Sequence, residues 1–446
     1  MAKLKDKHVV IGLGKTGLSC VRFLKRLGCD VVVLDTRSEP PGKDELAQTF
    51  TDVKLHCGDL NQFDLTKARE LVVSPGIAIQ TPSIAKAIVA GVPCSGDVEL
   101  FAKSVDAPVI AVTGSNGKST VVSIIGKALE ALGYNVCVAG NIGLPVLDAL
   151  SAAIDVDVWV LELSSFQLET THSLRAKVAV NLNVTEDHMD RYGSLDEYAM
   201  AKQRIFDGCD AAVYWLDDHR SKPIQGARTQ LPFGGNESAH GRFYVNTASK
   251  PYQVMDGARC VLTADDLHIR GTHNLLNVAA CLTVLDEFSG GHYGGALEAI
   301  KAFPGLPHRC QWVAEMNGVT WINDSKGTNV GSTVAAVNGL DGSVDGSLFL
   351  IAGGEGKGAD FEPLASALKG KVSELVVFGR DAQLIERAVG SVLPVTLVET
   401  MLQAVALLKS KVCTGDVVLF SPACASFDQF RNYEDRGYQF VAAVKG

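Results

Sequence analysis

Residues 107–120, APVIAVTGSNGKST, decide how the rest of the chain is interpreted. A β-branched run ends at Thr113, and a glycine-rich turn leads into VVSIIGKALEALG, which is typical of a helix. This order predicts a phosphate-binding loop, because backbone N–H groups and the positive end of the helix converge on phosphate oxygens. Lys118 would reach the β and γ phosphates, and a hydroxyl would ligate magnesium. The loop is shorter than G-x-x-x-x-G-K-[ST], since position 112 is Val.

The predicted ATP contacts in this loop are consecutive residues. They are Gly114, Ser115, Asn116, Gly117, Lys118, Ser119 and Thr120. A strand-to-helix turn without a ligand is the structural alternative. The loop alone does not separate a ligase from a kinase, a GTPase or a motor protein.

A second glycine-rich loop, HVVIGLGKTG, lies at residues 8–17. Its glycines at 12, 14 and 17 follow a strand pattern, and Asp35 ends the next strand pattern about 20 residues later, as in dinucleotide-binding proteins. The acidic side chain would then be positioned for a ribose hydroxyl, which makes a nicotinamide-dependent oxidoreductase a rival hypothesis. Because the chain already carries an ATP loop, we interpret this loop as the site for the nucleotide handle of a substrate. Tight packing of helix on strand without a ligand is the alternative.

Short β-branched runs alternate with helix-length segments along the chain. They are HVVIG, CDVVVLD, ELVVS, APVIAVTG, DVWVLEL, AKVAVNLN, SLFLIAGG, ELVVFG and DVVLFSPA. This alternation predicts an α/β fold with largely parallel sheets, and 446 residues suggest about three domains. We expect a Rossmann-like N-terminal domain (1–96), a central P-loop ATPase-like domain with a mostly parallel sheet (97–303) and a Rossmann-like C-terminal domain (304–446). Residues 216–250 are turn-rich and would decorate the central domain.

The composition limits the classes of partner. The net charge is -9, from 41 basic and 50 acidic residues without long runs, so no basic face is available for nucleic acid. Eleven cysteines include no C-x-x-C pair, which argues against a disulfide framework or a structural zinc site. The N-terminus lacks a secretory signal, and no segment approaches the roughly 20 apolar residues that span a bilayer. We therefore expect a cytoplasmic, soluble protein without membrane insertion. As a separate expectation, the protein would be a monomer.

Further motifs follow the ATP loop in a fixed order. They are AGNIGLP, LELSSFQLE, NLNVTEDHMDRYGS, YAMAKQRIF, GTHNLLNVAA, PHRCQ, NDSKGTN and SPACASFDQF. This series, over nearly the whole chain, resembles the Mur ligase family, and its last motif is most similar to that of the D-glutamate-adding members. The AGKGHE-type motif of diaminopimelate- or lysine-adding members is absent from the sequence. The resemblance implies an ATP-dependent ligase that adds D-glutamate to UDP-N-acetylmuramoyl-L-alanine through an acyl phosphate, in peptidoglycan precursor synthesis.

The same resemblance implies two sites for Mg²⁺ or Mn²⁺. Ser119 and Glu162 would hold one ion beside the phosphates, and Glu162 ends a hydrophobic strand, where a carboxylate can supply a hard oxygen ligand. His188 and a carbamylated Lys202 would form the second site. An ammonium cannot ligate a metal, whereas a carbamate offers two anionic oxygens. From the residues alone, Glu162 would be a cap or an ion pair, His188 a loop histidine and Lys202 a solvated helix residue.

The remaining roles implied by the resemblance concern nucleotide and substrates. Further ATP contacts are Asn274 near the base, Arg309 near the γ phosphate, Asp324 and Lys326. The UDP-linked substrate would contact Gly14, Lys15, Thr16, Asp35, Thr36, Ser74, Pro75, Gly76, Asn141, Ser164, His188 and Thr328, and the acceptor amino acid Lys357, Ser426 and Tyr433. The catalytic set would be Lys118, Glu162, His188, Lys202 and Arg309.

Several alternatives stay open from the sequence. Tyr433 occupies a position that is often phenylalanine in the family, and its phenol could donate to a carboxylate or point to solvent. His188 or a carboxylate could deprotonate the incoming amine. Another Mur ligase, or a folylpolyglutamate synthetase-like enzyme that uses L-glutamate and lacks the N-terminal domain, would share the ATP loop. Three ligands on three domains predict closure, with a hinge near residues 303–307.

Overall fold

Three largely parallel sheets follow one another along the chain. The computed structural model describes residues 4–225, 227–236, 239–248, 250–269, 271–340, 344 and 346–446. Parallel neighbours need crossover connections, and helices supply most of them here. The carboxyl ends of parallel strands lie at one edge of a sheet, where α/β proteins usually bind ligands.

The N-terminal sheet consists of β1 (His8–Ile11), β2 (Val31–Asp35), β3 (Lys54–Cys57), β4 (Glu70–Val73) and β5 (Cys94–Ser95). All its strands are parallel, in the order β3-β2-β1-β4-β5. Its helices are α1 (Lys15–Arg26), α2 (Lys43–Thr49) and α3 (Pro82–Val89). A Cβ atom at Gly17 would stand 1.8 Å from the carbonyl oxygen of Gly12, so glycine is what lets α1 begin this close to the loop after β1.

The central sheet consists of β6 (Val109–Thr113), β7 (Val136–Gly140), β8 (Val158–Glu162), β9 (Val178–Asn181), β10 (Ala211–Trp215) and β11 (Thr229–Phe233). The order is β11-β10-β9-β6-β8-β7, and every pair is parallel. The helices of this part are α4 (Asp97–Ala102), α5 (Lys118–Ala131), α6 (Val146–Ala152), α7 (Ser165–Glu169), α8 (Leu195–Gln203), α9 (Thr272–Ser289) and α10 (Leu297–Lys301). Helices α5 and α9 pack together over one face of the sheet.

Small antiparallel sheets lie between β11 and α9. They contain β12 (Gly235–Asn236) paired with β13 (Ala239–His240), and β14 (Phe243–Asn246), β15 (Gln253–Asp256) and β16 (Arg259–Thr263). Buried residues of β14 to β16 pack with α9 in one hydrophobic cluster. These strands therefore extend the face that α9 already covers.

The C-terminal sheet consists of β17 (Gln311–Met316), β18 (Val319–Asn323), β19 (Leu348–Gly353), β20 (Glu374–Phe378), β21 (Val395–Leu397) and β22 (Val417–Phe420). The order is β17-β18-β22-β19-β20-β21, and only β17 is antiparallel to its neighbour in this sheet. The helices are α11 (Val330–Leu340), α12 (Glu362–Leu368), α13 (Ala382–Val389), α14 (Met401–Lys409) and α15 (Tyr433–Lys445).

The predicted α/β fold with mostly parallel sheets is confirmed, and all nine predicted strand runs are strands. The turn-rich stretch 216–250 contains more regular structure than expected, because β11 joins the central sheet as an edge strand and β14 opens the three-stranded sheet.

Candidate active site

The central and C-terminal sheets turn the carboxyl ends of their strands toward one cleft of about 1000 Å³. Glu162 ends β8, and Asn183 and Thr185 follow β9. Asp324 follows β18 on the opposite side of the same cleft. The two sheets therefore build one shared site.

The predicted phosphate loop joins β6 to α5, as expected. The backbone N–H of Ser115 donates to the carbonyl oxygen of Asn183 at 2.8 Å, and the N–H of Asn116 donates to Asn183 Oδ1 at 2.8 Å. Gly117 has φ +85°, and a Cβ there would stand 2.6 Å from Asn277 Oδ1. Lys118 folds back on the loop and donates to the carbonyl oxygens of Gly114 at 2.7 Å and Ser115 at 3.0 Å.

Lys202 of α8 lies beneath this loop rather than in solvent. Its side chain is 1% exposed, and Nζ donates to the carbonyl oxygen of Gly114 at 2.9 Å. The Tyr198 ring lies 4.5 Å away, and among the described residues no carboxylate is within ion-pair distance of Nζ. Burial, with help from the charge of Lys118, holds the pKa of Lys202 well below its usual range.

One of the two carboxylate oxygens of Glu162 is placed so that it could coordinate a bound ion. Its Oε1 accepts from Asn141 Nδ2 at 2.9 Å, whereas Oε2 is buried and has no hydrogen-bond partner among the described residues. Burial favours the neutral acid and is the largest single effect, but the charge of Lys118 and the nearby groups of Ser119 and Arg309 together outweigh burial and lower the pKa of Glu162. Ser119 lies near, and its hydroxyl accepts from Arg309 Nη2 at 2.6 Å. A buried, charged and unpaired oxygen beside a phosphate loop fits a divalent cation.

His188 stands at the same cleft with φ +59°. Its ring packs edge-on against Phe166, with ring centroids 4.8 Å apart. Burial lowers the pKa of His188 to about 4, against the opposing effect of Asp187. The imidazole is therefore neutral at physiological pH and can offer a lone pair to a metal. Among the described residues no three His, Cys, Asp or Glu side chains form a metal site, so a bound metal needs further ligands such as phosphate oxygens.

The predicted acceptor end contains an ion pair that crosses the cleft. Lys357 Nζ donates to Asp187 Oδ1 at 2.6 Å, and the two side chains are 20% and 10% exposed. Burial would raise the pKa of Asp187, but Lys357 and His188 lower it to about 2. Ser426 is buried at the same end of the cleft.

The aromatic ring of Tyr433 packs against the ammonium group of a lysine. The Lys326 ammonium lies 3.9 Å from the centre of the Tyr433 ring, which is cation–π geometry. Burial lowers the pKa of Lys326 to about 8, and the nearby charges of Arg309 and Lys118 act in the same direction. Asp324 accepts from the Ser421 hydroxyl at 2.6 Å, and burial raises its pKa to about 6.

A second cavity of about 550 Å³ lies at the carboxyl edge of the N-terminal sheet. It contains nine of the twelve residues predicted to contact the UDP-linked substrate: Gly14, Lys15, Thr16, Asp35, Thr36, Ser74, Pro75, Gly76 and Asn141. Pro75 and Asn141 line both this cavity and the main cleft, so the two spaces adjoin.

Asp35 is already engaged in this second cavity. It accepts from the backbone N–H of Leu13 at 2.6 Å, and the Arg37 guanidinium binds both of its oxygens at 2.9 and 2.7 Å. The backbone N–H of Arg37 also donates to Asp35 at 2.8 Å. A ribose hydroxyl would compete with these donors, which weakens the predicted contact between Asp35 and the ribose of any nucleotide, whether a dinucleotide or a nucleotide-linked substrate.

The other predicted residues lie at the main cleft. Ser115, Asn116, Gly117, Lys118, Thr120, Asn141, Glu162, Ser164, His188, Lys202, Asn274, Arg309, Asp324, Lys326, Thr328, Lys357, Ser426 and Tyr433 line it. Gly114 and Ser119 take part through their bonds with the two lysines and Arg309. The Ser164 hydroxyl caps α7 by accepting from the N–H of Gln167 at 3.2 Å.

Sequence reasoning missed several residues of the site. Asp187 directly precedes His188, and Asn329 ends the NDSKGTN motif, so both lay inside motifs that had been noticed. Arg436 is 0% exposed, and Nη2 donates to the carbonyl oxygens of Ser325 at 2.8 Å and Cys424 at 3.0 Å. It thereby fixes the loop after β18 beside the loop after β22. Only tertiary contacts show this role.

Family models match three successive parts of the chain. They describe a Mur ligase MurD-like N-terminal domain at residues 6–96, a Mur ligase middle domain at 112–285 and a Mur ligase glutamate ligase domain at 308–424. The chain therefore belongs to the Mur ligase family.

Relatives of known name match over the full length. The UDP-N-acetylmuramoylalanine–D-glutamate ligase of Marinobacter nauticus is 47% identical over 441 residues, which cover 99% of this chain and 98% of the relative. That of Legionella pneumophila (strain Paris) is 44% identical over 443 residues, which cover 98% and 99%.

Solved structures at lower identity share the fold. The UDP-N-acetylmuramate–alanine ligase of Thermotoga maritima has a TM-score of 0.61 at 19% identity and covers 98% of this chain and 99% of that one. A folylpolyglutamate synthase of Mycobacterium tuberculosis has a TM-score of 0.57 at 16% identity and covers 77% and 93%. Within the described ranges, no helix is both long and apolar enough to cross a bilayer.

Proposed function

We propose that this chain is an ATP-dependent, ADP-forming ligase that joins D-glutamate to UDP-N-acetylmuramoyl-L-alanine during peptidoglycan precursor synthesis. The observation that carries the proposal is the meeting of the two cavities at Pro75 and Asn141, beside the phosphate loop. A substrate with its nucleotide in the N-terminal cavity can extend its carboxylate toward a triphosphate held by that loop. The printed names of the full-length relatives support this choice of substrates.

The chemistry requires activation of a carboxylate. A carboxylate repels nucleophiles and lacks a good leaving group, so ATP must first convert it to an acyl phosphate with release of ADP. Lys118, Arg309 and Lys326 surround the place of the phosphates with positive charge, and such positioning and charge stabilisation carry most of a phosphoryl transfer. The amine of D-glutamate then attacks the acyl carbon and expels phosphate.

The same proposal includes Mg²⁺, or Mn²⁺ in its place. Glu162 and Ser119 would hold one ion, because Glu162 Oε2 is buried and has no hydrogen-bond partner within the part of the chain that the structure describes. His188 would hold a second ion together with Lys202, provided that Lys202 is carbamylated. When bound, these ions would offset the charge of the phosphate oxygens.

Carbamylation of Lys202 is supported by its surroundings. Only an unprotonated amine reacts with carbon dioxide, and a buried lysine without a carboxylate partner favours that form. A carbamate would also give His188 an anionic neighbour as a second metal ligand. We propose that the active enzyme carries this modification.

D-Glutamate would bind at the end of the cleft that contains Lys357, Ser426 and Tyr433. Lys357 supplies the cation that a carboxylate requires, and Ser426 supplies a hydroxyl donor. His188 or Asp187 would have to act as a weak base at neutral pH, because both have low pKa values.

Residues 1–96 would hold the UDP-linked substrate, 97–303 the ATP and 304–446 most of the acceptor contacts. We propose a monomer acting in the cytoplasm, where ATP is available.

The test is phosphate release from ATP by the purified protein. We expect turnover only when UDP-N-acetylmuramoyl-L-alanine and D-glutamate are both present, and none when L-glutamate replaces the D form. Activity with a folate and L-glutamate would instead favour a folylpolyglutamate synthetase. Tight binding of NADH, followed by fluorescence, would favour the oxidoreductase hypothesis.

Lys118→Ala should abolish this turnover, because it removes the cation that reaches the β and γ phosphates. Lys127→Ala is the matched control, since Lys127 lies on the same helix, is exposed and pairs with Glu130. Its rate should equal that of the unmodified protein. Equal rates in both variants would refute the role of the loop.

Lys202→Ala should lose activity and regain part of it when a short carboxylic acid such as acetate or formate is added. The acid would occupy the space that the carbamate leaves and restore an anionic oxygen. Mass spectrometry of the intact protein under carbon dioxide should also show the carbamate. Normal rates in Lys202→Ala without added acid would contradict the carbamate.

A further inference from the structure

Asn329, directly before α11, joins the two sides of the main cleft through one side chain. Its Nδ2 lies 3.3 Å from Asn116 Oδ1 in the phosphate loop and 3.2 Å from Asp187 Oδ2. Its Oδ1 accepts from the backbone N–H of Ser332 at 2.8 Å, which caps the first turn of α11. Asn329 is 5% exposed, so these contacts are made away from water.

The two partners of Nδ2 serve different ligands. Asn116 belongs to the loop that would hold the triphosphate, and it also accepts from the Ser332 hydroxyl at 2.5 Å. Asp187 holds Lys357, the cation of the acceptor end, at 2.6 Å. One amide group therefore connects the nucleotide loop with the partner of the acceptor-binding lysine.

We infer that Asn329 is a positioning residue, a clasp that holds the C-terminal sheet against the phosphate loop in the closed arrangement and so couples ATP binding to acceptor binding. The inference rests on the proposed function for the identity of the acceptor. Arg309 also crosses the cleft, but among the described residues its side-chain hydrogen bond is to Ser119, on the nucleotide side. Asn329 is the described side chain that contacts Asn116 and Asp187 at once.

The amide can be replaced without loss of the helix cap. Asn329→Asp keeps an oxygen that can accept from Ser332, but it replaces the donor by an acceptor and places a second negative charge against Asp187. Asn329→Ser also keeps a capping oxygen, adds no charge and is too short to reach both partners. The two variants therefore remove the clasp by different means.

Steady-state kinetics and calorimetric titration test the clasp. In both variants the KM values for ATP and D-glutamate should rise, about tenfold or more in Asn329→Asp because like charges repel, while kcat falls less. The dissociation constant of UDP-N-acetylmuramoyl-L-alanine should be unchanged within about twofold, because all of its predicted contacts except Thr328 lie in the N-terminal and central parts of the chain. A purely structural role would lower the melting temperature and kcat without this selective rise in KM.

Asn317→Asp is the matched control. Asn317 is exposed in the turn between β17 and β18, and its φ of +53° suits Asp. This variant adds the same charge to the same part of the chain and should behave like the unmodified protein. Unchanged KM values for ATP and D-glutamate in both Asn329 variants would overturn the inference.

The experiment also separates failure of the clasp from failure of the proposed function. If the unmodified protein did not use D-glutamate, the proposed function would fail, and titration with a non-hydrolysable ATP analogue would still measure the clasp. Equal affinity for that analogue in the unmodified protein and both variants would then overturn the clasp.

Discussion

Burial sets the protonation of the side chains around the phosphate loop. The pKa of Lys326 is lowered to about 8, that of His188 is lowered to about 4, and that of Lys202 lies well below its usual range. In each case desolvation of the charged form is the largest cause of the lowered pKa. Nearby positive charges lower the pKa further for the two lysines: Arg309 and Lys118 act on Lys326, and Lys118 acts on Lys202. At neutral pH the site therefore combines a neutral imidazole with a protonated Lys326 that is close to losing its proton.

This protonation predicts a pH dependence of nucleotide binding. Lys326 has a lowered pKa, so its charge is present below about pH 8 and is lost as the pH rises through that value. Its contribution to ADP affinity should fall about tenfold between about pH 7 and about pH 9. The ADP affinity of Lys326→Arg should depend less on pH, because arginine stays protonated over this range. Calorimetric titration with ADP at several pH values measures the difference. An equal loss of ADP affinity with rising pH in the unmodified protein and in Lys326→Arg would contradict the role of the Lys326 charge.

The sequence predicted roles for residues whose chemistry follows from local spacing, such as Lys118, which the structure places in the predicted loop. Lys202 and His188 were found only through resemblance to a family, because burial depends on contacts that are distant in sequence. Asp187 and Asn329 were missed for the same reason: their partners lie 170 and 213 residues away. A residue type alone does not show which polar groups meet across a cleft.

At the scale of elements, glycine determines how closely helices approach the two glycine-rich loops. Gly17 lets α1 begin against the carbonyl group of Gly12, beside the cavity that we propose for the nucleotide of the substrate. Gly117 takes a left-handed conformation, so that α5 can start directly from the phosphate loop. Both glycines had been noticed in the sequence as parts of phosphate-binding patterns.

Gly17→Ala should therefore destabilise the N-terminal sheet and weaken binding of the UDP-linked substrate. The added Cβ would overlap a backbone oxygen, and overpacking of this kind costs about 2 kcal/mol or more. Thermal unfolding and calorimetric titration measure the two effects. Gly294→Ala is the control, because a Cβ there meets no atom within 4 Å. Equal stability of the two variants would show that α1 can shift without cost.

The elements predicted from the sequence are the buried parallel strands with continuous β-branched runs. Most missed strands give a weaker signal: β5 has two residues, β21 has three, and β3, β7 and β17 are partly exposed. Strand β10 was missed although it is buried, because it begins with two alanines and so lacks a continuous β-branched run. Strand β11 was hidden in a turn-rich stretch because it is a partly exposed edge strand. Whether a short segment forms an edge strand depends more on its contacts with the neighbouring strand than on its own residues.

At the scale of the whole molecule, the N-terminal and central sheets share a hydrophobic core, whereas the C-terminal sheet has a core of its own. The N-terminal and central sheets have a common core in which Phe101 packs edge-on against Trp159, with ring centroids 5.0 Å apart. The buried core of the C-terminal sheet contains residues 313–444 only. Polar contacts such as Lys357 to Asp187 and Arg309 to Ser119 join it to the central sheet. Interfaces of this kind permit domain motion.

Closure about residues 303–307 should therefore be measurable by small-angle X-ray scattering. A non-hydrolysable ATP analogue with UDP-N-acetylmuramoyl-L-alanine should reduce the radius of gyration, because the phosphates attract Arg309 and Lys326 to the central sheet. The UDP-linked substrate alone should leave the radius of gyration unchanged, since nearly all of its proposed contacts lie in the two parts that share a core. Identical profiles under all conditions would contradict the hinge.

The central claim is that ATP activates the substrate carboxylate as an acyl phosphate. The most direct test uses UDP-N-acetylmuramoyl-L-alanine labelled with oxygen-18 in that carboxylate, together with ATP and D-glutamate. Mass spectrometry of the inorganic phosphate should show one labelled oxygen per phosphate released, because the carboxylate oxygen that attacks ATP leaves with the phosphate. Unlabelled phosphate, with product formed at the normal rate, would contradict the account.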